Sequence, residues 1–350
     1  MLSNFLESRK TNAIKLVAEL GKTFKYVSIL GTDVKNKIIR VLKNSTDISE
    51  SFAAENGFVI RMSNGGAFYE YSLDDINATT KDLAKTIIDS LNISNSLKQK
   101  EITSLDIEEE QIIKSFNRED DFNLYNDKDI LEKLRQIKDT IVSKDEQVLN
   151  GGAILNTLEV NKIFISKNKQ LDQHYTWANG TMIVFYSNGE KMVQPRESAF
   201  SNLLTDVFNI MPKLIDKLFD KAKHLLNAQP IQPGIYDIIT DASITGLIAH
   251  EAFGHGVEMD QFVKDRAQAK HFIGQYVASP ITNLKDGAAS GFSTASYFFD
   301  DDGVLAHDTQ IIKDGILVSG ICDLVSSREL GVNPTGNGRR ETFAHKAYTR

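Results

Sequence analysis

Residues 235–260 read IYDIITDASITGLIAHEAFGHGVEMD, and this stretch predicts the structure and the chemistry of the C-terminal third of the chain. Its first residues form an apolar run after a Pro-Gly pair, which is typical of a short buried strand. Asp241 is suited to cap a helix in which Ile244, Leu247 and Ile248 fall at helical spacing. The stretch therefore predicts a strand, a helix and a loop, in that order.

The predicted helix leads into a group of side chains that suits a metal ion. His250, Glu251 and His255 follow its apolar face directly. Neutral imidazole is a good zinc ligand, and a carboxylate beside it can act as a general base. The familiar zinc-protease pattern is His-Glu-x-x-His, whereas this chain has one residue more between the histidines.

With the longer spacing, the two histidines can bind one metal ion only if the helix is distorted. On a regular helix, positions i and i+5 point roughly 140° apart, so His250 and His255 could not share one ion. A single π-bulge absorbs one extra residue and would return both histidines to one face, and Gly254 and Gly256 make such a distortion less costly. The alternative is a capped core helix whose polar end carries two unrelated histidines. The spacing alone leaves both interpretations open.

Residues 250–260, HEAFGHGVEMD, resemble the metal motif of the TldD/PmbA family of zinc-dependent peptidases, formerly described as modulators of DNA gyrase. The family pattern is HEAxGHGxEGD, and this chain matches it except at Met259, where the family usually has glycine. Residues 300–303 (DDDG) resemble the family's Asp-Asp-Glu-Gly turn, and residues 336–341 (GNGRRE) resemble a second family signature. The likeness extends along most of the chain.

This resemblance implies a TldD-like, motif-bearing subunit that hydrolyses peptides or unfolded polypeptides. It implies that His250 and His255 are zinc ligands and that Glu251 is the general base. Arg339 and Arg340 could bind a carboxylate or carbonyl of the peptide, although they could equally pair with local aspartates. The family also implies a dimer, including pairing with a PmbA-like subunit that lacks the metal motif.

The sequence departs from the family pattern at the third zinc ligand. A catalytic zinc usually has three protein ligands, and in the family the third is a cysteine well downstream of the GNGRR segment. This sequence ends at Arg350, soon after that segment, so we expect part of the C-terminal domain to be missing. Cys322 lies before the segment, and Glu258, Asp260 and His307 are weaker candidates. The alternative function is an inactive or truncated relative that binds peptides or a partner.

Composition indicates a globular protein and disfavours several other classes of function. The chain of 350 residues is 41% hydrophobic and 25% charged, which is typical of a globular protein, and its length predicts two or three domains. A net charge of −7 without a basic block disfavours nucleic-acid binding. The single cysteine, the charged N-terminal helix and the lack of a long apolar stretch predict a cytoplasmic protein without a membrane span.

Patterning elsewhere predicts an α+β fold, with β-meander-plus-helix units followed by a mixed α/β metal-binding domain. The expected domains are residues 1–110, residues 111–229 with a charged connection, a meander and a long helix, and residues 230–350, the incomplete metallopeptidase domain. The predicted elements include a first helix over residues 1–22, a hairpin over 57–71, tight Asn-Gly turns at 179–180 and 188–189, a long helix from 214 to 226, a polar helix over 264–273 and a hairpin over 309–321.

Overall fold

The computed structural model describes residues 2–50, 54–65, 68–94 and 110–350. Its fold is of the predicted α+β class, with one large sheet and smaller sheets near the C-terminus. The strands of the large sheet are β1 (Tyr26–Leu42), β2 (Ser45–Glu50), β3 (Glu55–Ser63), β4 (Phe68–Leu73), β5 (Ile112–Asn117), β6 (Val148–Ser166), β7 (Lys169–Ser187), β8 (Met192–Val193) and β9 (Arg196–Ser201).

Three long strands organise this sheet. Its order is β4-β3-β1-β6-β7-β5, with β2 paired to β1 and with β8 and β9 paired to β7. Strand β5 runs parallel to β7, and the other pairs are antiparallel. Because strands on both sides of residue 110 share one sheet, hydrogen bonds join the first two expected domains. We propose that residues 1–229 form one structural unit and residues 230–350 a second.

Helices cover one face of the sheet. Successive side chains of a strand point to opposite faces, and on β1 Ile29 and Ile39 point toward the helices. Helices α1 and α2 pack over one half of this face, and α3, α4 and α5 pack over the other half. These helices are α1 (Asn4–Leu20), α2 (Thr80–Ser94), α3 (Asp127–Ser143), α4 (Leu204–Ile210) and α5 (Ile215–Asn227).

The C-terminal part covers the opposite face. Phe299 packs against Leu30 and Phe164, and Tyr297 lies in a second cluster with Trp177. Its elements are α6 (Ala242–Ala249), α7 (Met259–Val263), β10 (Leu284–Asp286), β11 (Thr309–Lys313), β12 (Ile316–Leu317), α8 (Leu324–Leu330), β13 (Gly338–Arg339) and β14 (Tyr348–Thr349). The sheet therefore lies between a helical layer and a C-terminal layer.

Charged side chains join the sheet to the C-terminal layer. Arg61 of β3 donates from Nη1 to Asp302 Oδ1 over 2.6 Å and from Nε to Glu70 Oε1 over 2.8 Å. Arg340 donates to both carboxylate oxygens of the same Glu70. We call Arg61, Glu70, Asp302 and Arg340 the buried charge network. Burial alone would lower the pKa of Arg61, but the charges of Asp302 and Glu70 outweigh it and raise that pKa above its ordinary value.

Most predicted elements are confirmed. Helices α1 and α5, the β3–β4 pairing and the turn at Gly189, which has a φ of 93°, agree with the predictions, although residues 66–67 of the hairpin lie outside the described residues. The predicted turn at residues 179–180 is wrong, because both residues lie inside β7. The polar helix at 264–273 is reduced to a 3-10 turn over Gln268–Phe272.

Two of the strands predicted for the C-terminal part differ from the structure, whereas the strand predicted from residue 309 is present as β11. Residues 235–240 form no strand, and the Ile235 and Ile239 side chains are fully exposed. A strand needs a neighbour with which to pair its backbone, and no described strand pairs with this run. In the hairpin at 309–321, β12 is two residues long, and the chain then continues to an isolated bridge between Ile321 and Glu258.

Candidate metal centre

The metal motif begins on a capped helix that becomes π-helical. Asp241 accepts a hydrogen bond from the backbone N–H of Ile244 over 3.0 Å, as the sequence predicted. Helix α6 is regular from Ala242 to Ala249, and His250–Gly254 then forms a π-helical turn. The predicted local distortion is therefore present at the position where the longer spacing requires it.

The π-helical turn brings the two histidines together. The ring centroids of His250 and His255 lie 4.8 Å apart, with an interplanar angle of 69°. Both side chains are exposed. Two imidazoles at this separation and on one side of the chain can present nitrogen atoms to a common ligand, which a regular helix would not allow.

Glu258 orients His255. Its Oε1 lies 3.0 Å from Nδ1 of His255, so Nδ1 carries the proton when this bond forms and Nε2 remains available. Carboxylates commonly hold metal-binding histidines in this way. The spacing of three residues could have indicated this pairing from the sequence, where Glu258 was expected only as a weak candidate ligand.

The chain after His255 is fixed to the C-terminal core. Val257 is buried with Ile311 and Leu317, and its carbonyl accepts a hydrogen bond from the N–H of Ile321 over 3.0 Å. Met259, which stands at the family's glycine position, is buried against Phe262 and Cys322. The second half of the motif is therefore held in the core, whereas the preceding helix and Glu251 are exposed.

The side chains of His250 and His255 are placed where they can hold a metal ion, but a third ligand is needed. In the described part of the chain, no group of three histidine, cysteine, aspartate or glutamate side chains is arranged to hold a metal ion. Cys322 is buried and donates to the Asn333 carbonyl, and burial raises the pKa of its thiol to about 11. Asp260 is buried and accepts hydrogen bonds from Lys264 and Gln261. The described residues thus supply His250 and His255, and none of the expected third ligands joins them.

The two arginines expected at the substrate have different surroundings. The side chain of Arg340 is 3% exposed, and its guanidinium binds Glu70 and the carbonyl of His345. Arg339 lies over the ring of Tyr297, 4.5 Å from its centroid, and its nearest carboxylate oxygen, on Asp301, is 3.8 Å away. It lines a cavity of about 330 Å³ together with Arg350. Arg339 thus faces a space that a ligand could enter, whereas the guanidinium of Arg340 binds Glu70 and His345.

Comparison with known proteins agrees with this architecture. The family model described as the PmbA/TldA metallopeptidase C-terminal domain matches residues 233–350. The solved structure of TldE from Thermococcus kodakarensis superposes with a TM-score of 0.72 at 17% identity, covering 96% of this chain and 75% of that one. A proposed modulator of DNA gyrase from Bacteroides thetaiotaomicron superposes with a TM-score of 0.75 at 16% identity, covering 96% of this chain and 76% of that one.

Curated relatives match over a shorter range. A metalloprotease TldD homolog from Haemophilus influenzae is 37% identical over 120 residues, which is 34% of this chain and 25% of that protein. A metalloprotease from Methanothermobacter thermautotrophicus is 36% identical over 121 residues, again 34% of this chain and 26% of that protein. The match thus spans about a quarter of each relative's length. Residues 233–350 therefore match a PmbA/TldA metallopeptidase C-terminal domain, and the fold of the chain resembles that of the solved TldE structure.

Each helix within the described ranges is too short or too polar to cross a bilayer.

Proposed function

We propose that the chain is the motif-bearing subunit of a zinc-dependent peptidase that hydrolyses peptides or unfolded polypeptides. The observation that supports this proposal best is the π-helical turn, which places the rings of His250 and His255 side by side despite their five-residue spacing. The two curated relatives described above are both named metalloproteases, which agrees with it.

Each motif residue has a defined role in this proposal. His250 and His255 would hold the zinc ion, which when bound would act as a Lewis acid toward the scissile carbonyl. Glu251 follows His250 directly, and its exposed carboxylate would accept a proton from the attacking water. Glu258 would keep Nε2 of His255 free by accepting the proton of Nδ1. Arg339 would bind a carboxylate or carbonyl of the peptide.

The proposal also covers the oligomeric state and the cellular location of the protein. Pairing with a PmbA-like subunit in a dimer would complete the functional protein, and the family relationship supports it. A cytoplasmic location is supported by the single cysteine, Cys322, which is free and buried.

Zinc content tests the assignment of the ligands. Purified protein is analysed by plasma mass spectrometry beside the double variant His250→Ala/His255→Ala, with His271→Ala, at another exposed histidine, as the matched control. About one zinc per chain in the wild type and in His271→Ala, lost in the double variant, supports the assignment. A wild type that retains no zinc after incubation with excess metal contradicts it.

Hydrolysis of unstructured fluorogenic peptides tests the general base. Glu251→Gln preserves the shape of the side chain but removes its basicity, so we expect turnover to fall roughly 10²–10⁴-fold while zinc content stays the same. Glu190→Gln, at an exposed turn, is the control. Unchanged turnover in Glu251→Gln would exclude this carboxylate as the base. Binding of peptides by the wild type without any hydrolysis would instead support the alternative, an inactive subunit that binds peptides or a partner.

A further inference from the structure

Arg118 occupies an aromatic cage on the face of the sheet that the C-terminal part covers. It directly follows β5, and its backbone N–H donates to the carbonyl of His174 over 3.0 Å, which fixes its position. Its guanidinium carbon lies 4.4 Å from the ring centroid of Trp177, and the rings surrounding it are those of Trp177, Phe298, Phe292 and Tyr175. All four distances fall within the range of a cation–π interaction.

The guanidinium of Arg118 lacks an acidic partner in the described part of the chain. Its Nη1 is buried and has no hydrogen-bond acceptor. The nearby acidic residues are engaged elsewhere, since Asp120 binds His174 over 3.0 Å and Asp121 accepts from the N–H groups of Leu204 and Thr205. By contrast, Arg61, Arg339 and Arg340 each face a carboxylate. Burial lowers the pKa of Arg118, as expected for a guanidinium without a carboxylate beside it.

Trp177 supplies a second donor without an acceptor. Its side chain is 2% exposed, and the indole Nε1 is buried with no hydrogen-bond partner among the described residues. Nearly all buried donors in proteins have an acceptor, so two unsatisfied donors on one stacked pair of side chains call for an explanation. A bound acceptor group would remove both deficits at once.

A single exposed ring covers the cage. Phe292 contacts Trp177 with a centroid separation of 5.0 Å and Phe200 at 5.7 Å, yet it remains 60% exposed. The segment that carries it, residues 289–295, is exposed throughout and otherwise contains only small side chains. A ligand could therefore reach Arg118 and Trp177 by displacing one aromatic ring, without opening the core of the sheet.

We propose that Arg118 and Trp177 bind a carboxylate of a peptide. A carboxylate offers two acceptor oxygens for the two unsatisfied donors, and the surrounding rings suit the apolar side chain beside it. A phosphate, with three charged or polar oxygens, would leave acceptors unsatisfied among these rings. The proposal relies on the proposed function only in its choice of a peptide as the carrier of the carboxylate.

Trp177 is the only tryptophan of the chain, so its fluorescence reports directly on the cage. Metal-free protein is titrated with tetra-alanine, with tetra-alanine amide, and with an end-capped peptide that carries one internal glutamate. We expect a saturable change with tetra-alanine if the C-terminal carboxylate is bound, or with the glutamate peptide if a side chain is bound, and none with the amide. An equal response to the amide, or to inorganic phosphate, overturns the proposal.

Two variants distinguish a loss of carboxylate binding from a failure to fold. Arg118→Met keeps the aliphatic packing on Trp177 and should weaken binding about tenfold or more, whereas Arg135→Met, at an exposed arginine of α3, should leave it unchanged. Phe292→Ala, which alters only the cover, should strengthen binding at least about threefold, and it tests the site even if Arg118→Met fails to fold. Unchanged affinity in both variants would overturn the proposal. Because no metal is present, failure here leaves the peptidase proposal intact, and the reverse also holds.

Discussion

The buried charge network and the metal motif both carry residues of the family signatures, but they differ in what their polar atoms contact. In the network, the side chains of Arg61, Asp302 and Arg340 are 7%, 0% and 3% exposed, and each is bound to an oppositely charged partner. In the motif, the side chain of His255 is 48% exposed and Glu251 has no partner among the described residues.

This difference separates structural from chemical roles. A charge in the interior must be paired and hydrogen-bonded, so the network residues are held in place and their charges are paired. An exposed histidine with a free nitrogen, next to an exposed carboxylate, can still bind a ligand or transfer a proton. Signature residues can therefore have structural contacts, as the pairing of Arg340 with Glu70 illustrates. Three predictions test the comparison.

Arg61→Leu should give the largest effect. The substitution leaves the carboxylate of Asp302 buried without its cation, and Glu70 loses one of its two arginines. Breaking a buried pair in this way costs about 3–5 kcal/mol, which urea-induced unfolding followed by circular dichroism would measure. Arg266→Leu, at an exposed arginine, should change the free energy of unfolding by less than about 0.5 kcal/mol. Equal effects of the two substitutions would mean that the network adds nothing to stability.

The ionisation of Glu70 should make the free energy of unfolding depend on pH. Burial opposes its ionisation, but hydrogen bonds from Arg340 and the charge of Arg61 prevail and lower the pKa of Glu70 from 4.5 to about 2. A lowered pKa stabilises the fold above pH 4.5, and that stabilisation is lost as the pH falls toward 2. The contribution at neutral pH is about 3 kcal/mol.

Unfolding measured between pH 6 and pH 2 should therefore show a smaller loss of stability in Glu70→Gln than in the wild type. Glu146→Gln, at an exposed glutamate, is the control and should follow the wild type. If Glu70→Gln loses stability as steeply as the wild type, other carboxylates account for the acid sensitivity.

Local patterns in the sequence predicted the elements whose stability is local. The apolar repeat of α5 and the hairpin of β3 and β4 were found because periodicity shows directly which face is buried. The π-helical turn was predictable for a similar reason, since two histidines five residues apart cannot share a face of a regular helix.

Features that depend on distant partners could not be predicted. Arg61 and Asp302 are separated by 241 positions, and nothing near either residue indicates the other. Gly180 was expected in a turn, but it lies in β7, where an added Cβ would come within 2.3 Å of Met211 Sδ. Its small size serves the packing of the helices against the strand. Likewise, the apolar run from Ile235 predicts burial but cannot show whether a neighbouring strand exists.

Helices α5 and α6 provide the last comparison, in which Leu247→Ala has the smallest expected effect. Leu218 of α5 is 0% exposed, whereas Leu247 of α6 is 53% exposed beside Ile244 at 47% and Ile248 at 52%. Leu218→Ala should lower the free energy of unfolding by about 2–5 kcal/mol because it leaves a cavity. Leu247→Ala should change it by less than about 0.5 kcal/mol, since alanine favours a helix and little surface is exchanged.

Thermal and urea unfolding of both variants would measure the contrast, and Ile244→Ala offers a second test on the same face of α6. If the α6 variants lose as much free energy of unfolding as Leu218→Ala, this helix is packed in solution. The metal motif would then be as firmly held as the buried charge network. A small loss would mean that the histidine-bearing turn is held from its C-terminal side, through Val257 and the hydrogen bonds to Ile321.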